Sequence, residues 1–173
     1  APTLAGIKTG SLFSYSYSKK DDMFLKISSL NKRLSHKGLQ FTVLRCANGK
    51  ALIYVYRPNR LKQDLKKRIV QDMLKKSGYD CESCDRCIQY LIRRIRSSDD
   101  FPHEIGLFLS YPPKDVLGFI ENNAADYKFT GYWKVYGDEK FAKKTFKKYK
   151  VCTNIYCSRK RQGFRLEELT VAV

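Results

Sequence analysis

Two short segments rich in apolar, β-branched and aromatic residues, 40–46 and 51–57, flank the polar stretch Ala-Asn-Gly-Lys. Asn-Gly is the preferred two-residue turn of a β-hairpin, because both central positions need positive φ. The sequence therefore predicts two antiparallel strands joined by this turn. We expect one face of the hairpin to be formed by Thr42, Leu44, Cys46, Ala51, Ile53 and Val55.

Apolar residues recur at helical spacing in the segments that surround this hairpin. The predicted stripes are Met23, Ile27, Leu30 and Leu34; Leu61, Leu65, Ile69 and Met73; Cys84, Ile88, Leu91 and Ile95; and Val116, Leu117 and Ile120. Gly38 and Gly78 are expected to end the first two helices. Asp138 is expected to cap a further long helix, because a carboxylate at that position can accept a hydrogen bond from a free backbone N–H.

The remaining apolar runs predict additional strands. Residues 12–17 have strand composition, and the apolar pentad 105–109 stops at two prolines, as a buried strand does. Alternation over 128–136 places Phe129, Trp133 and Val135 on one face, with Trp133 expected in the core, and Tyr132, Lys134 and Tyr136 on the opposite face, toward solvent or a partner. Residues 169–173 are expected to form a final edge strand. The sequence thus predicts a single domain, residues 1–173, of the α+β class, with one mixed sheet that contains the antiparallel Asn-Gly hairpin and is packed by several helices.

Charge changes this picture, because 34 Lys and Arg face 17 Asp and Glu, which gives a net charge of +17. A field of that sign attracts polyanions, and a binding module for an anionic partner such as nucleic acid is the leading hypothesis. The candidate anion-binding residues are Lys143, Lys144, Lys147, Lys148, Arg159, Lys160 and Arg161. Aromatic residues lie between them, and these side chains either stack on bases or form the buried stripe of a helix. A solvated surface without function is the alternative interpretation of the charge.

A small enzyme is the second hypothesis. His103 and Glu104 stand at the start of the apolar pentad, and Tyr111 follows it, so an acid–base site can form there. The alternative is structural, with His103 as a hydrogen-bonding residue and Glu104 as a cap or salt-bridge partner. The spacing is not that of a His-Glu-x-x-His metal site, because position 107 is Leu.

A third hypothesis concerns the six cysteines. Cys81, Cys84 and Cys87 have a spacing at which thiolates can hold a metal or an iron–sulfur cluster, although a helix would turn them apart. The chain shows no secretory signal, so reduced thiols in the cytoplasm are expected. Walker and dinucleotide-binding glycine motifs are missing, and no cofactor is predicted. The longest apolar run is too short for a membrane span.

Two motifs resemble a known family. Pro-His-Glu at residues 102–104 and Leu-Ser-Tyr-Pro at 109–112 are similar to the Pro-His-Glu and Leu-Gly-Tyr-Pro signatures of domain of unknown function 3793, a bacterial family found mainly in anaerobic Firmicutes. Segments 1–6, 51–58, 118–122, 131–136 and 152–153 also resemble it. Ser110 departs from the signature, where Gly would allow positive φ or close backbone approach. The resemblance implies a bacterial cytoplasmic protein and adds no reaction to the hypotheses.

Overall fold

A computed structural model describes residues 1–80, 82–97 and 100–172, and these form an α+β fold. The strands are β1 (Gly10–Ser16), β2 (Gln40–Ala47), β3 (Lys50–Tyr56), β4 (Phe129–Thr130) and β5 (Lys134–Val135). The helices are α1 (Lys20–Leu34), α2 (Pro58–Leu65), α3 (Arg68–Lys76), α4 (Cys84–Ser97), α5 (Ile105–Phe108), α6 (Pro113–Glu121), α7 (Glu139–Arg161) and α8 (Leu166–Leu169). A 3₁₀ turn, Ser35–Lys37, follows α1 and ends at Gly38, whose φ is 71°.

The strands form two sheets, so the prediction of one mixed sheet is wrong. β1, β3 and β2 make a three-stranded sheet in that order, whereas β4 and β5 pair only with each other. All of these pairings are antiparallel. Residues 128–136 fold back on themselves at Gly131, and the short hairpin packs with α7 rather than with the larger sheet.

A β-bulge changes the predicted register of β2 against β3. Val43 pairs with Ile53 and Arg45 with Leu52, so Leu44 is the extra residue. Before the bulge, Phe41 and Val43 share the buried cluster of Ala51, Ile53 and Val55, where Thr42 and Leu44 were expected. After it, Cys46 packs partly buried against that cluster, as predicted. The inserted residue shifts the alternation by one, which no periodic pattern reveals.

The larger sheet separates two apolar clusters. On one face, α1 contributes Met23 and Leu34 to the cluster that contains Ile53. On the other face, Leu44, Tyr54 and Tyr56 pack with residues from α2 to α6. A third, smaller cluster joins the β4–β5 hairpin to α7 through Trp133, Val135, Ala142 and Tyr149.

Residues 105–109 form a helical turn rather than the predicted strand. Helix α5 is buried at all four of its positions, and a short apolar run buried on every side has no period that separates a strand from a helix. The turn closes through hydrogen bonds from the N–H groups of Leu109 and Tyr111 to the Gly106 carbonyl. Ser110 follows with a φ of 62°.

Two other boundaries differ from the predictions. The expected helix over 59–78 is interrupted at Lys66 and Lys67, so Val70 rather than Ile69 is buried in α3. The expected edge strand over 169–173 is absent from the residues that the structure describes there, because α8 ends at Leu169 and 170–172 are irregular. Val173 lies outside the described residues.

Trp133 is buried, with 6% of its surface exposed, as the alternation predicts. Its indole Nε1 donates a hydrogen bond to Asp115 Oδ2 at 2.7 Å. Tyr132 is 41% exposed, also as predicted. Lys134 and Tyr136 are half-buried instead of solvent-facing, because Tyr136 lies against Gly118 of α6, where an added Cβ would be 2.5 Å from Tyr136 Cγ.

Replacing Trp133 with Ala is expected to lower the free energy of unfolding by about 3–5 kcal/mol, because it leaves a cavity and an unpaired Asp115 oxygen. Tyr132→Ala, on the exposed face of the same hairpin, should cost about 1 kcal/mol. Chemical denaturation of both variants measures the difference. Equal losses would show that the buried and exposed faces are assigned incorrectly.

Candidate anion-binding site

The long helix α7 carries most of the predicted anion-binding residues and is held by few buried contacts. Asp138 caps it, accepting a hydrogen bond from the Phe141 backbone N–H at 3.0 Å. Only Ala142 and Tyr149 of its 23 residues are buried. At 1.5 Å per residue, the helix is about 34 Å long. It therefore presents a long surface to solvent.

The charged side chains of this surface are almost all positive. The helix contains nine Lys and Arg residues and a single acid, Glu139. All seven predicted residues are exposed on it: Lys143, Lys144, Lys147, Lys148, Arg159, Lys160 and Arg161. Lys143 pairs with Glu139 at 2.9 Å, and the Arg159 guanidinium lies 5.9 Å from the Phe164 ring. The other five have no acidic partner among the residues that the structure describes.

The interleaved aromatic residues divide between the two predicted roles. Tyr149 is buried and Phe146 is half-buried, so both belong to the packed face of α7. Phe141 is exposed. Tyr132 adds a second exposed ring, whose centroid lies 5.4 Å from that of Phe146. Two aromatic rings are therefore accessible beside the cations.

A concave basic cavity of about 460 Å³ borders α7. Its walls include Arg60 from α2, Lys67 from the α2–α3 junction and Lys148 from α7. The Arg60 Nε atom is buried and has no hydrogen-bond partner within residues 1–80, 82–97 and 100–172. An unpaired buried N–H donor is costly, so a bound acceptor in the cavity would stabilise it.

One carboxylate, Asp64, also lines this cavity and is already engaged. Its Oδ1 pairs with Lys67 Nζ at 2.6 Å, and its Oδ2 accepts a hydrogen bond from the Thr9 hydroxyl at 2.5 Å. The Thr9 backbone N–H donates to Ser110 Oγ at 2.8 Å. Ser110 has a φ of 62°, in the left-handed region that Gly adopts most readily. Its hydroxyl thus contributes a contact that Gly could not make.

Lys8 is a buried cation that the sequence analysis missed. Its side chain is 7% exposed, and its Nζ lies 5.4 Å and 5.9 Å from the ring centroids of Tyr111 and Tyr149, which both line the cavity. Burial lowers the pKa of the ammonium to about 8. One lysine among 34 basic residues carries no sequence signal of burial, because only the fold brings residue 8 to these rings.

The three residues of the predicted acid–base site do not form one constellation. His103 and Tyr111 both line a cavity of about 260 Å³. The His103 imidazole contacts the Phe119 ring and makes no side-chain hydrogen bond with the residues that the structure describes, while its carbonyl accepts a hydrogen bond from the Gly106 N–H at 3.2 Å. Glu104 is buried and held by Arg94 Nε at 2.8 Å and the Tyr79 hydroxyl at 2.9 Å. That buried ion pair is the structural role that the sequence analysis left open for Glu104.

The predicted cysteine site has one member, Cys81, outside the described residues. Cys84 begins α4 and is half-buried, and burial raises the pKa of its thiol to about 11. Cys87 is buried and disulfide-bonded, contrary to the expected reduced thiols, whereas Cys46, Cys84, Cys152 and Cys157 are free thiols, as expected. Residues 1–80, 82–97 and 100–172 hold no group of three or more His, Cys, Asp or Glu placed to bind a metal ion.

The arginines of α4 differ from the cations of α7, because their partners lie within the protein. Arg94 binds Glu104 and the Ser77 carbonyl, and Arg96 donates to the Leu44 carbonyl at 2.9 Å. Arg86 forms an ion pair with Glu82. Arg94 and Arg96 thus connect elements of the fold, whereas five of the seven α7 cations have no acidic partner among the residues that the structure describes.

Together these features define a basic α+β protein with a cationic helix beside a concave basic cavity. The chain belongs to the family described as protein of unknown function (DUF3793), whose model matches residues 1–170. No curated protein and no solved structure matches the chain significantly. Among the helices in the described part of the chain, none combines the length and the apolar character that a membrane span requires.

Lys8→Met is expected to change how stability depends on pH. Burial lowers the pKa of Lys8 from 10.5 to about 8, so between these values the unfolded chain binds more protons than the folded one. The Lys8 contribution to the free energy of unfolding therefore rises as pH increases from about 8 to 10.5. The variant should lack that rise and gain about 3 kcal/mol at pH 7.

Chemical denaturation across pH 7–10.5 measures this difference, with Lys75→Met, at an exposed position of α3, as the control. The control should follow the wild-type profile. A Lys8→Met profile parallel to that of the wild type would contradict the buried, depressed ammonium.

Proposed function

We propose that this protein binds nucleic acid along α7, with single strands preferred over duplexes. The observation that carries the proposal is the set of five exposed cations on α7 that have no acidic partner in the described part of the chain. Ion-paired cations would gain little from a phosphate, because an existing contact must be broken. Unpaired cations gain the full attraction and release the counterions of the nucleic acid.

The dimensions of α7 agree with a polyanion rather than a single small anion. The cations extend from Lys140 in its first turn to Arg161 at its end. The helix length of about 34 Å is similar to one turn of B-DNA, about 34–36 Å. The cations fall into two groups, 140–150 and 159–161, and phosphates spaced along one strand can therefore contact both groups.

Exposed aromatic rings favour single strands. Phe141 lies on α7, and Tyr132 lies beside it in a shallow apolar depression flanked by Lys147 and Lys150. Unstacked bases can pack on such rings without sequence preference while lysines hold the backbone. A duplex keeps its bases stacked internally and cannot use these rings.

The basic cavity supplies a site for one phosphate at the edge of this surface. Lys148 belongs both to α7 and to the cavity wall, so the two surfaces are continuous. A phosphate oxygen in the cavity would provide the acceptor that Arg60 Nε lacks.

Neutralising Lys144, Lys147 and Lys148 together to Gln is expected to weaken binding to a fluorescent oligothymidine and to reduce its salt dependence. Each phosphate contact contributes about 0.7 to the slope of log K against log salt for a single strand, so the slope should fall by about 2. Fluorescence anisotropy from about 50 to 300 mM salt measures both quantities.

The matched control replaces Lys19, Lys20 and Lys32 with Gln. These lysines are exposed at or near α1, which packs on the face of the larger sheet that carries Ile53. The two triple variants change the net charge of the protein by the same amount. The control variant should keep most or all of the wild-type slope of log K against log salt. Equal effects of the two triple variants would assign binding to net charge alone, and salt-insensitive binding or none at about 50 mM salt would reject the proposal.

Tyr132→Ala is expected to lower affinity for the single strand about tenfold or more while leaving the salt slope unchanged, because stacking contributes about 1–3 kcal/mol per base and involves no charge. Tyr127→Ala is the control, since Tyr127 is also 41% exposed but lies beside Lys134 and not beside α7. The same anisotropy assay applies. Unchanged affinity for Tyr132→Ala would exclude stacking on this ring.

A further inference from the structure

A second cavity, separate from α7, is enclosed mainly by aromatic side chains. It has a volume of about 260 Å³ and lies between α5, α6 and the β4–β5 hairpin. Its ring-bearing walls are Phe101, His103, Tyr111, Phe119 and Trp133. None of the residues that line it belongs to α7, so it shares no cation with the proposed nucleic-acid surface.

One wall of this cavity is held in place by hydrogen bonds within the protein. The Trp133 indole is fixed by its hydrogen bond to Asp115, and its ring lies 5.1 Å from that of Tyr111, centroid to centroid. Asp115 also accepts hydrogen bonds from the backbone N–H groups of Tyr136 and Gly137 at 2.9 and 2.6 Å. The two carboxylate oxygens of Asp115 thus accept three hydrogen bonds from groups within the protein.

Lys134 is the cation of the cavity lining. Its Nζ donates one hydrogen bond to the Ala124 carbonyl at 2.7 Å and lies 5.8 Å from the Phe119 ring centroid. It has no acidic partner among the described residues, and an ammonium has three N–H donors. Donors therefore remain for an anion at the end of an aromatic cavity.

We infer that this cavity binds a small aromatic carboxylate. The aromatic ring packs against Trp133, Tyr111 and Phe119, and the carboxylate accepts a hydrogen bond from Lys134 Nζ. Size supports this class, because a cavity of about 150 Å³ holds benzene and the cavity here has room for two fused rings. Aromatic walls supply offset or edge-to-face contacts with a planar ligand, and the lysine selects for negative charge.

Naphthalene-2-carboxylate is the probe, and its neutral carboxamide is the matched control ligand. The chain has one Trp, so the indole N–H gives one cross-peak in a ¹⁵N–¹H spectrum and reports directly from the cavity wall. We expect the carboxylate to shift this peak with saturation at a dissociation constant on the order of 0.1–1 mM. The carboxamide should bind about tenfold more weakly.

Lys134→Gln should weaken carboxylate binding about tenfold and leave carboxamide binding unchanged. Lys128→Gln is the control on the same hairpin, since Lys128 Nζ also donates to a backbone carbonyl at 2.7 Å but does not line the cavity. It should bind both ligands as the wild type does. Both substituted side chains are partly or fully exposed, so each variant should fold. An indole peak at its wild-type position in the ligand-free variant checks this.

Three results would overturn the inference. The first is an indole peak that does not move with either ligand up to about 10 mM, well above the expected constant. The second is equal affinity for carboxylate and carboxamide, which would remove the charge preference. The third is a Lys134→Gln variant that binds the carboxylate as tightly as the Lys128→Gln control.

Discussion

The rest of the structure depends on the hydrogen bonds made by the buried guanidinium of Arg57. Arg57 is 1% exposed and stands at the end of β3. Its side chain donates hydrogen bonds to the backbone carbonyls of Thr3, Leu4 and Lys37 at 2.8, 2.5 and 2.6 Å. A buried charge is tolerated only when its donors are satisfied. The first residues of the chain and the turn after α1 must therefore stay in place around it.

The basic cavity is a consequence of this constraint. The Arg57 backbone N–H donates to the Thr9 carbonyl, which holds residues 8 and 9 beside the sheet. From there Thr9 reaches both Asp64 and Ser110, and Lys8 enters between the two tyrosine rings. The site thus combines residues from three distant parts of the chain, and α7 adds a fourth with Lys148. A surface of this kind cannot be recognised as one site from any local motif.

Some of these features could be predicted because their signals are local. Asp138 is a capping residue followed by a helix, and Trp133 lies in an alternating run, so both were assigned correctly. The pentad 105–109 was misassigned because it is buried on all sides and has no period. The Leu44 bulge and the buried Lys8 depend on packing against distant residues. The exposure of the α7 cations was expected, but their lack of partners, which separates them from the α4 arginines, required the structure.

In the proposed complex, a nucleic-acid strand lies along α7 and passes Tyr132. Photo-crosslinking of an oligonucleotide that carries 5-bromouracil, followed by mass spectrometry of the digested protein, tests this arrangement, because the covalent adduct records which residues touch the bases. We expect adducts at Tyr132 or Phe141 and in peptides from α7, and we expect them to be lost at high salt as binding weakens. Adducts concentrated on α1 or α4, or adducts that persist unchanged at high salt, would contradict it.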